Sequence, residues 1–270
     1  MKKDASMPEP ERIRAIAEAA RDLGGRALLV GGSVRDELLG RAPRDIDLEI
    51  LGLDLIQLES ILKRFGTTHR VGRDFPVVKV SGLDVDFAVA ESAELDFKEA
   101  ARRRDLTINS MAMDPLSQEL LDPYSGRLDL EAGILRATDP DRFGEDPLRA
   151  LRVMRLTAEL EMNIHPDLVS LCREQDLGGV APERIFAELS RLLEKTHRPS
   201  MGLAFLEASG LLRFFPELDR LRGCPQDPQW HPEGDVWTHT LLSVDQAAQL
   251  RQANEEDGPL MWAALCHDLG

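Results

Sequence analysis

No stretch of this chain is apolar over anything near the ~18 residues that suggest a membrane span. Lys2 and Lys3 have no apolar core behind them, so the N-terminus does not read as a secretory signal. Cysteine is sparse. Cys172, Cys224 and Cys266 lie far apart, which fits reduced thiols and predicts a cytoplasmic setting. Positive charge is outnumbered, 33 Lys+Arg against 48 Asp+Glu for a net charge of −15. A generally basic nucleic-acid coat protein is therefore excluded. Lysine is scarcest of all, with six residues against 27 arginines. Arginine presents a planar fork of donors that matches phosphates and base edges, although a GC-rich gene gives the same bias. What is present is a 43% hydrophobic, 30% charged chain of 270 residues. That is enough to bury a core and exclude wholesale disorder, and the length predicts about two domains.

The patterning predicts an α+β protein. Residues 1–10 read as a tail, and Ile13, Ile16, Ala17, Ala20 and Leu23 recur at helical spacing before Gly24-Gly25. Ala27–Val30 reads as a buried strand, Arg44–Ile50 alternates, and Val77–Val80 and Val85–Val89 form a hairpin about Ser81-Gly82. A short helix is expected at Glu37–Leu39. After Thr138 strand signals vanish, and Leu148–Leu160, Pro182–Glu194, Met201–Leu212 and Leu241–Gln252 read as helices. Turn signals at Asp139–Asp141 and Gly223–Pro228 suggest the divisions 1–23, 24–140, 141–222 and 223–270. There are no repeats and no low-complexity segments.

The strongest local chemistry is Gly31-Gly32-Ser33-Val34-Arg35-Asp36 followed by Asp45-Ile46-Asp47. Two residues apart on a strand, Asp45 and Asp47 share a face while Ile46 and Leu48 face the core. Two carboxylates held together repel, and a divalent cation relieves them; oxygen-only ligands select Mg²⁺ or Mn²⁺. Asp86 supplies a third carboxylate if its strand lies beside the first. This set suits two-metal phosphoryl transfer, with Gly31 and Gly32 admitting phosphates to the backbone and Arg35 pairing with them. An acidic strand edge after an ordinary Gly-Gly turn produces the same bare Asp-x-Asp pattern. Further on, Glu145, Arg149 and Arg152 are spaced by four and three, with Asp146 three before Arg149. Leu148, Leu151, Met154 and Ala158 form a separate apolar stripe. A carboxylate beside a guanidinium offers acceptor and donor edges to a base; a surface helix braced by ion pairs has the same spacing.

The segment LLVGGSVRDELLGRAPRDIDLEI resembles the first motif of the class II tRNA nucleotidyltransferase and bacterial poly(A) polymerase family, within the polymerase-β-like nucleotidyltransferases. ARRRDLTINSMAMD, LLDPYSGRLDLEAGILRAT, FGEDPLRALRVMRLTAEL and PERIFAELSRLL resemble its later motifs in the same order. The resemblance implies a mixed-sheet nucleotidyltransferase head over 24–140 and an all-α neck and body over 141–222. It implies transfer of C, and perhaps A, from CTP and ATP to a tRNA 3′ end without a nucleic-acid template, with Mg²⁺ as cofactor. It assigns base choice to Asp146 and Arg149 with Glu145 in support, nucleotide phosphates to Arg152 and Arg155, nucleotide binding to Arg104, and a structural role to Asp105. Arg102–Arg104 also reads as a basic patch for RNA. Arg184 and Glu188, four apart, read as a helix-bracing pair.

The chain departs from the family over residues 90–100, where a short acidic stretch (Glu91, Glu94, Asp96 and Glu99 against Lys98) replaces a longer basic loop. Short loops of this kind resemble those of CC-adding relatives, which makes a CC- or A-adding specialist an alternative, beside a poly(A) polymerase. WHPEGDVWTHTLL and LCHDLG resemble the start of an HD phosphohydrolase domain over 223–270. His239, His267 and Asp268 would hold a second divalent metal in an intact HD domain, and His231 reads as a turn residue or an outer ligand. HD domains need a further Asp downstream, so the chain is expected to be a fragment with weak or absent HD activity, and the helix opened at Leu260 to lack a partner. A hydrolase built on the HD residues and an idle RNA-binding module are the rivals from other classes.

Overall fold

A computed structural model of the chain describes residues 7–43, 45–72, 77–90, 96–254 and 257–269. The chain divides into two units, residues 1–132 with 137–139, and residues 133–136 with 140–270.

In the first unit, α1 (Glu9–Asp22), β1 (Arg26–Val30), α2 (Gly32–Leu38), β2 (Ile46–Leu51) and α3 (Leu55–Leu62) are followed by β3 (Thr68–Val71), β4 (Val77–Val80) and β5 (Leu83–Val89). Then come α4 (Phe97–Arg102), β6 (Ala112–Met113), β7 (Leu120–Leu121) and α5 (Gly126–Ala132). The seven strands form one mixed sheet in the order β3-β4-β5-β2-β1-β6-β7. β2 and β5 pair parallel, and the other neighbours pair antiparallel. The period of two decides which side chains go where. Leu48, Ile50, Val85 and Phe87 bury one face against Ile13, Ile16 and Ala20 of α1 and Leu58 and Leu62 of α3. On β1, Leu28 and Val30, which alternate with Ala27 and Leu29 of the first face, turn to the opposite face against Phe97 and Ala101 of α4. Asp47 and Glu49 alternate with Leu48 and Ile50, so a one-residue slip of β2 would drive both carboxylates into the larger core.

The second unit contains β8 (Ile134–Leu135), α6 (Arg149–Leu160), β9 (Asn163–Ile164), α7 (Pro166–Arg173), α8 (Pro182–Lys195), α9 (Pro199–Ala208), α10 (Pro216–Asp219), α11 (Val236–Leu250) and α12 (Asp257–Cys266). Leu148, Leu151, Met154 and Ala158 are all buried, and α6 packs against α8 and α9. Among the described residues, no helix is long and apolar enough to cross a membrane.

Several expected elements are corrected. The helix placed at Glu37–Leu39 begins at Gly32, because Gly31 takes a positive φ of 75° that ends the strand and lets the helix start at once. Strand structure does not vanish after Thr138: β8 and β9 pair in parallel. The helix expected over Met201–Leu212 ends at Ala208, since Gly210 at φ 74° breaks it before a 3₁₀ turn at Leu211–Phe214. The helix expected from Leu241 starts at Val236, where the Asp235 carboxylate accepts the Thr238 N–H. The last helix starts at Asp257, not Leu260, and does have partners: it packs on α8 and α11, and Trp262 stacks on Phe186 with ring centroids 5.0 Å apart.

Candidate functional site

Asp47 and Asp86 are register partners across the parallel β2–β5 pair. Neighbouring strands lie about 4.8 Å apart, so the two carboxylates leave the sheet side by side on one face. Asp45 stands exposed just ahead of β2; Arg44, expected in the strand, lies outside the described residues. Burial is the largest influence on Asp47 and raises its pKa. Arg104 opposes this, Asp86 and Asp45 add to it, and Lys79 again opposes. Two basic residues answer the acids. Lys79 Nζ lies 2.6 Å from Asp86 Oδ1, and Arg104 Nη2 donates to Glu49 Oε2 at 2.8 Å. Sequence reasoning missed Lys79 and gave no role to Glu49. The only available signal was that Glu49 continues the Asp45, Asp47 face at the same two-residue step.

Gly31 lies against both Asp47 and Arg104. A Cβ there would stand 3.1 Å from Arg104 Nη1 and 3.7 Å from Asp47 Oδ2, at a φ that L-residues rarely adopt. The missing side chain leaves a cradle between an acid and a guanidinium. The Arg104 Nε is buried with no hydrogen-bond partner. Asp47 repels Asp86 and Asp45, and all three offer oxygen only, the donor type a hard divalent cation takes, with Lys79 now answering Asp86. Gly32 serves a different neighbour: a Cβ there would meet Arg35 Nη2 at 3.3 Å. Arg35, expected at the phosphates, is held here by neighbouring side chains. It is buried, Nε donates to Asp36 at 2.9 Å, and Nη1 donates to Asn109 at 2.8 Å. Asn109 Nδ2 in turn donates to Asp105 Oδ1 at 3.0 Å, which joins the Gly-Gly segment to the Arg104-Asp105 turn.

In the second unit Asp146 and Arg149 stand at the entrance to α6. Glu145 does not share the α-helix with Arg149 and Arg152 as expected; it ends a 3₁₀ turn (Pro140–Glu145), with Oε2 3.9 Å from Arg149 Nη2, and Asp146 likewise precedes α6. Arg149 Nη1 donates to the Arg142 carbonyl at 2.6 Å. Asp146 Oδ1 accepts the Leu148 N–H at 3.1 Å, and Oδ2 accepts from Arg184 Nη2 at 2.7 Å. Arg152 lies half-buried on α6. Arg155, expected at the nucleotide phosphates, is instead buried: Nε donates to Glu188 at 2.7 Å, and Nη1 pairs with Glu159. Arg184 and Glu188 therefore do not brace one another; each is tied to a residue of the α6 segment.

His239, His267 and Asp268 place ligand atoms within 4.8 Å of one another, as do His231, Glu233 and His239. The histidine ring centroids are 4.8 Å (His231–His239) and 5.3 Å (His239–His267) apart. His231 thus joins the cluster and is no simple turn residue. Glu233, which sequence reasoning missed, accepts from His239 Nδ1 at 2.6 Å and His231 Nδ1 at 3.1 Å. Its pKa is lowered to about 2 by its own backbone N–H and then by these two histidines. His267 Nδ1 donates to the Ala264 carbonyl at 2.8 Å, which leaves Nε2 as the ligand nitrogen.

Comparison with known proteins bears on the family the chain resembles. Residues 76–136 match the family described as Poly A polymerase head domain, and residues 161–221 match Probable RNA and SrmB- binding site of polymerase A. The Multifunctional CCA protein of Alkalilimnicola ehrlichii is 39% identical over 269 residues, covering 91% of this chain and 62% of the relative. That of Actinobacillus pleuropneumoniae serotype 5b is 38% identical over 266 residues, covering 90% and 63%. The chain thus spans less than two thirds of the length of these curated relatives. Among solved structures, a tRNA-processing enzyme in an apo form matches 99% of this chain and 73% of its own at 25% identity, with a TM-score of 0.73. A tRNA nucleotidyltransferase complexed with a primer tRNA and an incoming ATP analog matches 94% and 75% at 25% identity, with a TM-score of 0.70. With its motifs in order and a mixed-sheet head, the chain is similar to CCA-adding tRNA nucleotidyltransferases over the part of those relatives that it spans.

Proposed function

We propose that the chain carries the machinery for untemplated transfer of nucleotides from CTP and ATP to the 3′ end of tRNA. The observation that carries this reading is the in-register pair Asp47 and Asp86 beside the Gly31–Arg104 cradle. Asp45, Asp47 and Asp86 would hold Mg²⁺ or Mn²⁺, which would supply activation of the attacking hydroxyl and charge balance for the leaving group. Gly31 keeps the approach to Asp47 open, and Arg104 binds triphosphate oxygens. Asp146 accepts the exocyclic amino group of the base, Arg149 donates to its ring edge, and Arg152 binds phosphate. The RNA 3′-hydroxyl attacks the α-phosphorus, an O–P bond forms, and pyrophosphate leaves with the electron pair of the broken bond. The Multifunctional CCA relatives and the solved tRNA and ATP-analog complex support tRNA, CTP and ATP as partners.

The experiment offers CTP and ATP, separately and together, to tRNA ending before C, CC or CCA. One or two C additions followed by one A support CCA addition; stopping after CC supports the specialist reading of the short loop, of which residues 91–95 lie outside the described residues. An extended A tract would favour poly(A) synthesis, and no incorporation at all would refute the proposal.

A second reading rests on the histidine cluster. We infer that His239, His267 and Asp268 form the beginning of an HD metal centre, with Glu233 orienting His239 through its Nδ1–H. Titration with Ni²⁺ or Mn²⁺ should show a site, distinct from the one at Asp47 and Asp86, that is lost in His239→Ala; an unchanged number of sites in that variant would remove the assignment.

A further inference from the structure

We propose that Arg184 is a positioning residue for base choice, acting through its ion pair with Asp146. The inference rests on the assignment of Asp146 to the base edge and names what holds that group in place. Asp146 is gripped at both oxygens: Oδ1 by the Leu148 N–H at 3.1 Å, Oδ2 by Arg184 Nη2 at 2.7 Å. Two donors on two oxygens fix the plane of a carboxylate that otherwise turns freely about its terminal torsion. The neighbouring guanidinium is fixed too, by the Arg142 carbonyl. Arg184 is itself held in register. One turn further along α8, Glu188 makes the buried pair with Arg155 of α6, so the helix that carries Arg184 cannot slide against α6.

Cytosine and adenine both present an amino donor beside a ring-nitrogen acceptor. Uracil and guanine present a carbonyl beside an N–H. A carboxylate locked in one plane next to a guanidinium accepts from the first pattern and repels the second. A carboxylate free to turn loses that discrimination. Arg184 touches no base in this account; it acts on selectivity by orienting the group that does.

The test is calorimetric titration of the 270-residue chain with CTP and UTP in Mg²⁺, for the wild type, Arg184→Gln, Arg184→Lys and Asp146→Asn, with Tm measured for each. Arg184→Gln should weaken CTP binding about tenfold, as expected for one misaligned charged hydrogen bond, and leave UTP within about twofold. Arg184→Lys should recover part of the preference, with Tm little changed. Equal weakening of both nucleotides, or unchanged or tighter CTP binding in Arg184→Gln, would overturn the inference, since a mere brace between helices does not move the CTP-to-UTP ratio. If Asp146→Asn leaves that ratio unchanged, the base-reading assignment fails with it. If Asp146→Asn collapses the ratio and Arg184→Gln does not, only the role of Arg184 fails.

Discussion

The carboxylate of Asp47 stands where burial disfavours its charge and both Asp86 and Asp45 oppose it. Such a group costs stability where it stands. Asp47→Asn should therefore raise the Tm of metal-free protein, by about 2–4 °C for a gain on the order of 1 kcal/mol. The pH dependence has a definite sign. Because the native pKa is raised, the destabilisation is present at neutral pH and is relieved as pH falls through that pKa. The Tm advantage of the variant should shrink on acidification; a constant difference, or a lower Tm in the variant, would contradict this. Arg155 is the opposite case, a charge kept for structure. Arg155→Met strands Glu188 in the interior and should cost about 3–5 kcal/mol in urea unfolding. A small cost with lost nucleotide affinity would return Arg155 to the phosphates. The Asp45–Asp47 pairing is legible in the sequence because a period of two is local. The partners of Arg35 and Arg155 are not, since Asn109 and Glu188 lie 74 and 33 positions away.

At the scale of elements, α6, α8 and α9 meet with little space to spare. A Cβ on Gly202 would stand 2.7 Å from the Met154 carbonyl oxygen and 2.6 Å from Leu192 Cδ1. Gly202→Ala should therefore cost about 1–3 kcal/mol by overpacking, despite the higher helix propensity of alanine. Stabilisation in chemical denaturation would show that α9 can move away. The helices were readable where an apolar stripe carried them, as with Leu151, Met154 and Ala158. Their starts were obscured where a polar run carried a cap, as at Asp235, or where glycine opened a helix, as at Gly32. The parallel pairing of β2 with β5 was beyond sequence reasoning. Alternation shows that both strands carry acids on one face, but only the long-range register places Asp47 opposite Asp86.

At the scale of the whole molecule, a net charge of −15 must coexist with a proposed RNA partner. Phosphate attraction is local and screened by salt, so affinity for tRNA should fall linearly with salt on logarithmic axes, with a shallower slope once Arg102 and Arg103 are changed to Gln. An unchanged slope in that variant would mean that these arginines do not meet the phosphate backbone. The central claim is that the in-register carboxylates are the metal-dependent centre of nucleotidyl transfer. Incorporation from α-³²P-labelled CTP into a tRNA lacking its terminal CCA, followed across a Mg²⁺ titration, tests it most directly. The account predicts metal-dependent product in the wild type and at least about a hundredfold less in Asp47→Asn and Asp86→Asn at every Mg²⁺ concentration. Undiminished incorporation in both variants, or product in the wild type with Mg²⁺ fully chelated, would contradict it.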